Sequence, residues 1–251
     1  MIEGALHAGL GWTVAGTLVA ASFGTSFITA AFGIGGGGVL LAILASLLPP
    51  VALIPVHGLV QLGSNAGRAA IMFRHRDQGV LVPFAAGALV GVALGGSVVV
   101  QLPPAILQIG VGLFILWSVL ATPPAFMRRS AAIAGGFSSF LTMFFGGTGP
   151  FVAAYVKTMG FARMTHVATH ALLMTVQHLL KTVAFGFLGF AFSQWMPLIA
   201  AMIASGFLGT VAGRQVLVRI DEKRFKLVLN AILIVLALRL IWAGADGVVQ
   251  P

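Results

Sequence analysis

Apolar residues run along this chain in long blocks, without the two-residue alternation that a half-buried strand leaves. The blocks predict helices over Trp12 to Phe32, Ala52 to Phe73, Val80 to Val100 and Ala105 to Leu120. A shorter arm runs from Val39 to Leu48, where Pro49 and Pro50 stop it. Two apolar blocks are broken by glycine. One break is Gly33-Ile34-Gly35-Gly36-Gly37-Gly38, and the other is Gly146-Gly147-Thr148-Gly149-Pro150. Such runs weaken a helix and leave backbone amides uncovered. In lipid an uncovered amide is costly unless protein, water or a ligand meets it. The pattern therefore predicts broken helices that line a cavity.

The second break belongs to an internal repeat. Under one constant offset Phe27 falls on Phe140, Thr29 on Thr142, Gly33 on Gly146 and Gly36 on Gly149. The same offset puts His57 on His170, Asn65 on His178 and Arg68 on Lys181. Gly95 then comes one residue from register with Gly209. The expected organisation is a first membrane repeat over 1–122, a basic linker over 123–130 and a second membrane repeat over 131–251.

Composition fixes the solvent. The chain is 59% hydrophobic and 8% charged, where soluble domains carry about a quarter charged residues. With a mean hydropathy of +1.07, the fold class is an all-α integral membrane protein. Met1 to Gly11 lack the basic stretch of a cleavable signal. There are no cysteines, hence no disulfide and no thiolate metal site. The net charge of +9 does not indicate nucleic acid here, because Lys and Arg mark the cytoplasmic loops of membrane proteins. In the first half Arg74 to Asp77 and the linker with Arg128 and Arg129 are basic. In the second half the loop of Arg163 and the one with Arg214, Arg219, Lys223, Arg224 and Lys226 are basic. The alternation runs in opposite phase in the two halves. It predicts inverted-topology repeats, each a re-entrant hairpin at the glycine break plus about three transmembrane helices. Both termini fall on the periplasmic side of a bacterial inner membrane, with Trp12, Trp195 and Trp242 at the outer interface.

The chemistry sits beside the breaks. Arms that start near mid-membrane point free amides and the positive end of their dipoles inward, which suits an anion. Gly35, Gly36, Gly37 and Gly38, with Gly147, Thr148 and Gly149, are the candidate donors. The plainer reading is glycine for close helix packing. Two polar stripes at helical period flank these breaks. One is His57, Gln61, Ser64 and Arg68 with Asn65 beside it; the other is His166, His170, Gln177 and Lys181 with His178 beside it. Only five acidic residues exist, all near termini or loops, so an anionic substrate would supply the charge that Arg68 and Lys181 lack. Snorkelling to an interface is the alternative for both bases. The histidines fit substrate binding, proton exchange or plain helix-to-helix hydrogen bonds. A metal site at His166 and His170 has the right spacing but no acidic or thiol ligand. Tyr155 is placed to face the site, and Lys157 and Arg239 to snorkel.

The segments FGIGGGG, GGTGPFVAAY and FARMTHVATHALLMTVQHLLKTVAFGFLGF resemble the sulfite exporter TauE/SafE family, also called TSUP. The resemblance covers nearly the whole chain. It departs in one respect, since the family commonly has a proline soon after the first glycine run, and Val39 to Leu48 has none. The resemblance implies an inner-membrane secondary transporter for sulfite or an organosulfonate such as sulfoacetate. Its expected partners are a small anion, the lipid bilayer and protons, without a cofactor, a metal or nucleic acid. The expected site comprises Gly35, Gly36, Gly37, Gly38, His57, Gln61, Asn65, Arg68, Gly147, Thr148, Gly149, His170, Gln177, His178 and Lys181. One repeat moving against the other would give alternating access. The rival readings are an anion channel of the same architecture, a histidine-dependent intramembrane metalloenzyme and a structural scaffold.

Overall fold

The computed structural model describes residues 7–33, 35–99, 103–216 and 222–249, which are helical with no strand among them. The first half contributes α1 (Trp12–Phe32), α2 (Gly36–Leu47), α3 (Pro50–Ile71), α4 (Leu81–Val99) and α5 (Pro104–Leu120). The second contributes α6 (Ala131–Phe145), α7 (Gly149–Lys157), α8 (Arg163–Phe187), α9 (Met196–Val216) and α10 (Glu222–Val249). Among the described residues four apolar stretches are long enough to cross a membrane: Trp12–Phe32, Leu81–Val99, Phe192–Gln215 and Leu227–Gly247. Arg219, counted among the expected cytoplasmic bases, lies outside the described residues.

Both glycine breaks end a helix in the same way. Gly33 takes φ +88° and its amide bonds the Thr29 carbonyl at 2.9 Å. Gly146 takes φ +74° and its amide bonds the Thr142 carbonyl at 3.2 Å. Residues with a Cβ rarely adopt this left-handed turn, so glycine suits the stop. After the first break α2 folds back beside α1. A Cβ on Gly36 would strike the Thr25 carbonyl and Thr29 Oγ1.

Glycine also sets how the halves interlock. On α4, Gly87 lies against the Ala132 carbonyl of α6 and Gly91 against that of Gly136. On α9, Gly209 lies against the Phe23 carbonyl of α1, and Ser205 Oγ donates to the Val19 carbonyl at 2.8 Å. Each seam runs parallel and joins the first helix of one half to the fourth of the other. The seams correct the expected register. Gly95 sits on the Phe140 carbonyl and Gly213 on the Phe27 carbonyl. Since Phe27 and Phe140 are equivalent, Gly95 corresponds to Gly213 and not to Gly209. A longer α8, 25 residues against 22 in α3, accompanies the slip.

Counterpart helices meet at the centre. His57 of α3 faces His178 of α8, while Met72, just past α3, packs on Val167 and Ala168, so the pair is antiparallel. Gly112 of α5 lies against the Ala237 carbonyl and Ile241 of α10, and Gly244 against the Ala105 carbonyl and Ile109, again antiparallel. Trp12 and Trp242 are 59% and 72% exposed, as interface residues would be, but Trp195 is only 6% exposed. Trp195 packs in the main core with Leu198 and Met202, which removes it from the expected aromatic belt.

Candidate functional site: a cavity between the glycine breaks

A cavity of about 1010 Å³ lies where the two breaks approach each other. Gly33, Gly35, Gly37 and Gly38 line it from the first break, and Gly146, Gly147 and Gly149 from the second. The first turns of α2 and α7 start here, and a helix leaves its first amides without intrahelical partners. Pro150 at the start of α7 brings no amide, so Gly149 is the α7 donor on that side.

The histidines brace these turns. His57 Nε2 lies 3.1 Å from the Gly37 carbonyl, and His170 Nε2 lies 3.1 Å from the Gly149 carbonyl. Both rings line the cavity, as do Gln61, Asn65 and His178. Each break is thus held by the histidine of the following long helix. A Cβ on Gly146 would come 3.2 Å from His57 Nδ1, so that ring also reaches the opposite break.

Five expected site residues do not line the cavity. Gly36 is packed on Thr25 and Thr29. Thr148 Oγ1 accepts from Gln177 Nε2 at 2.6 Å, and Gln177 Oε1 accepts from Ser138 Oγ at 2.9 Å. Thr148 and Gln177 therefore buttress the second break from behind. Arg68 donates to Asn65 Oδ1 at 3.0 Å and to Ser64 Oγ at 3.3 Å. Lys181 donates to Thr142 Oγ1 at 3.4 Å, and Thr142 Oγ1 in turn donates to the Gly146 carbonyl at 3.1 Å. Arg68 is 1% exposed and Lys181 0%. Neither snorkels, and these bonds of theirs run to neutral groups. Two buried basic side chains stand behind the wall of the cavity, with Lys181 laid across Gly58 of α3.

The outer cavity is basic. Arg128, Lys157, Arg163 and His166 line it, and no Asp or Glu does among the described residues. Arg163 also donates to the Ala31 carbonyl at 3.2 Å, which ties α8 to the end of α1. Lys157 faces this space, not a lipid interface as its helix-end position suggested. Tyr155 departs from expectation in the other direction: it is 7% exposed and packs with Val80, Phe84 and Leu173, away from the cavity. Sequence reasoning passed over Asn230, which lines the cavity between Leu229 and Leu233 of α10. Its signal was present as a lone polar residue in the apolar run from Leu227 to Leu238.

The architecture and basic cavity agree with the comparison to known families. The family model for the sulfite exporter TauE/SafE matches residues 18–240. The chain belongs to the sulfite exporter TauE/SafE family. No curated protein and no solved structure gives a match. The TauE/SafE assignment makes the chain a multi-pass membrane protein of a transporter family associated with small sulfur anions.

Proposed function

We propose that the protein is a secondary transporter that moves a small sulfur oxyanion, sulfite or an organosulfonate such as sulfoacetate, across the bacterial inner membrane. The observation that carries this reading is the cavity between the two breaks. It is lined by backbone glycine, four histidines and further bases, with no acidic side chain among the described residues. Helix N-termini favour anions by about 0.3–1 kcal/mol each at exposed sites and more where water is excluded. Gly35, Gly37 and Gly149 offer the amides, since those of Gly38 and Gly147 already bond the Gly35 and Phe145 carbonyls, with His57, His170, His178, Gln61 and Asn65 around them. Arg68 and Lys181 add long-range charge from behind the wall. Gly36, Thr148 and Gln177 hold the breaks in shape.

The topology is read as two inverted repeats over 1–122 and 131–251, joined by the basic linker 123–130. The antiparallel pairing of α3 with α8 and of α5 with α10 supports this. The cavity reaches Arg128 and Arg163, on loops that the positive-inside rule assigns to the cytoplasm. On this reading the cavity faces inward and both termini are periplasmic. The histidines are the proton carriers if transport is proton-coupled.

The test is a binding and thermal-shift titration of purified protein with sulfite, thiosulfate, sulfate, sulfoacetate and taurine, repeated on Lys181→Ala and His170→Ala. A sulfur oxyanion that stabilises the wild type and not the variants supports the proposal. A folded protein that none of them stabilises overturns the substrate class. Saturable flux with counterflow in vesicles separates a transporter from a channel of the same shape.

A further inference from the structure

The hydrogen bonds of His57 and His170 fix where a proton can go. A carbonyl oxygen only accepts, so the ring nitrogen bonded to it must carry hydrogen. His57 Nε2 faces the Gly37 carbonyl and His170 Nε2 the Gly149 carbonyl, each at 3.1 Å. Both Nε2 atoms are therefore N–H donors. In the neutral rings both Nδ1 atoms are then bare lone pairs. Both Nδ1 atoms are buried without a hydrogen-bond partner, on side chains 1% and 4% exposed. Both rings line the cavity between the breaks.

A bare lone pair repels an anion, whereas the same atom protonated donates to it. The charged surroundings decide which state holds before an anion arrives. Lys181 lies across Gly58, beside His57, and the His178 ring stands 6.0 Å from the His57 ring. Around His170 the charged or titratable neighbours are His166, His178 and Arg68. The packed faces of α2, α6 and α7 bring Gly37, Gly146 and Gly149, which are uncharged. No acidic residue lines the cavity among the described residues. Every charged group near either Nδ1 is thus cationic or a histidine, and nothing resident stabilises a proton there. The missing counter-charge is the anion itself.

We infer that His57 Nδ1 and His170 Nδ1 form a proton site that fills only together with the substrate, so that the oxyanion is bound with its proton as one acid unit. This rests on the transporter reading above. The proton comes from solution onto an Nδ1 lone pair, and the resulting N–H donates to an anion oxygen. An anion that brings its own acidic hydrogen donates it to the same lone pair. By linkage each ligand raises the affinity of the other by the same factor. An oxyanion without a proton cannot use the site, which would make the anion and the proton obligatory companions.

The experiment measures proton uptake when sulfoacetate, which is fully ionised at neutral pH, binds to purified wild-type protein in weak buffer. About one proton per anion is expected for each histidine that takes part, so affinity rises about tenfold per proton for each pH unit of acidification. Nitrogen-15 spectra of histidine-labelled wild type should find bare Nδ1 without sulfoacetate and N–H at that atom with it. His57→Gln and His170→Gln keep a donor for the glycine carbonyl and lack the second nitrogen, and each should reduce the uptake. Sulfoacetate that binds without proton uptake overturns this inference and leaves the transporter reading intact, and so do glutamine variants that keep the full uptake. Folded wild type that binds none of the sulfur oxyanions overturns both. The wild-type measurements decide the matter even where a variant does not fold.

Discussion

The two glycine breaks do the same work with different supports. In the first, glycine alone occupies the described positions, and what steadies it comes from elsewhere. Leu229 of α10 covers Gly35, and Leu233 lies 3.7 Å from a Cβ placed on Gly38. In the second, Thr148 and Pro150 stiffen the turn, and Gln177 and Ser138 brace Thr148 by hydrogen bonds. Helix α10 covers the first break, and α5 packs beside the second, where Phe114 stacks on Phe145 and Phe151. Both breaks have apolar cover, the second from Leu41 and Ile54, so a duplicated element can keep its shape while one copy alone adds a side-chain brace within the turn itself, Thr148 on Gln177.

The sharpest way to separate the copies is alanine at equivalent glycines. Gly36→Ala drives a methyl into the Thr25 carbonyl, while the nearest atom to a Cβ on Gly149 is His170 Nε2 at 3.8 Å. Overpacking costs about 1–3 kcal/mol and more against backbone. Gly36→Ala should therefore abolish or strongly lower the yield of monodisperse protein, and Gly149→Ala should leave the melting temperature nearly unchanged. Equal melting of the two would erase the distinction.

Gln177→Leu comes next. It leaves the Thr148 hydroxyl without Gln177 and Ser138 with only its long bond to the Gly135 carbonyl at 3.4 Å, at about 1–3 kcal/mol for a buried unsatisfied group, so thermal melting should fall by several degrees. Ser64→Ala, the matching change in the first half, removes one bond to Arg68 and one to Ser26. Its melting should fall less, because Arg68 keeps Asn65.

A smaller effect is expected for Leu229→Ala, read as exposure and not as stability. The chain has no cysteine, so Gly38→Cys can be labelled cleanly by a membrane-impermeant thiol reagent. Labelling should speed up severalfold when Leu229→Ala is added. An unchanged rate would mean that α10 does not cover the break. The least effect is expected at the rim. Lys157→Ala removes one exposed charge from the outer cavity, so apparent anion affinity should weaken by a few-fold at low salt and not at high salt.

Much of this arrangement was legible in the residues. The helices came within a few positions of their expected ends, because long apolar blocks closed by proline or glycine admit little else. The stripes on α3 and α8 were also legible, since polar residues at helical period in an apolar chain must face protein or water. What escaped was three-dimensional. Whether Thr148 turns to the cavity or to Gln177 depends on a side-chain rotation that spacing does not encode. Tyr155 and Lys157 lie two residues apart on α7, yet one is buried in packing and the other faces the cavity. Asn230 required knowing that α10 returns to the first break, a contact between distant parts of the chain. Gly95 was matched wrongly because the breaks set the offset upstream, and the longer α8 changed it before the next seam.

The seams of α1 with α9 and of α4 with α6 also determine which parts of the protein can travel. Backbone lies on backbone along both, so sliding one sequence half past the other would have to tear two glycine zippers at once. The zippers instead weld α1 to α9 and α4 to α6, and Gly63 and Gly67 of α3 seat Ile203 and Phe207 of α9 onto the first pair. The rigid bodies are therefore exchanged blocks, each borrowing a helix from the opposite half. On the transporter reading proposed above, these blocks would shear along the α3–α8 face, where His57 faces His178 and Lys181 lies across Gly58, so the hinge and the cargo hold would be one surface.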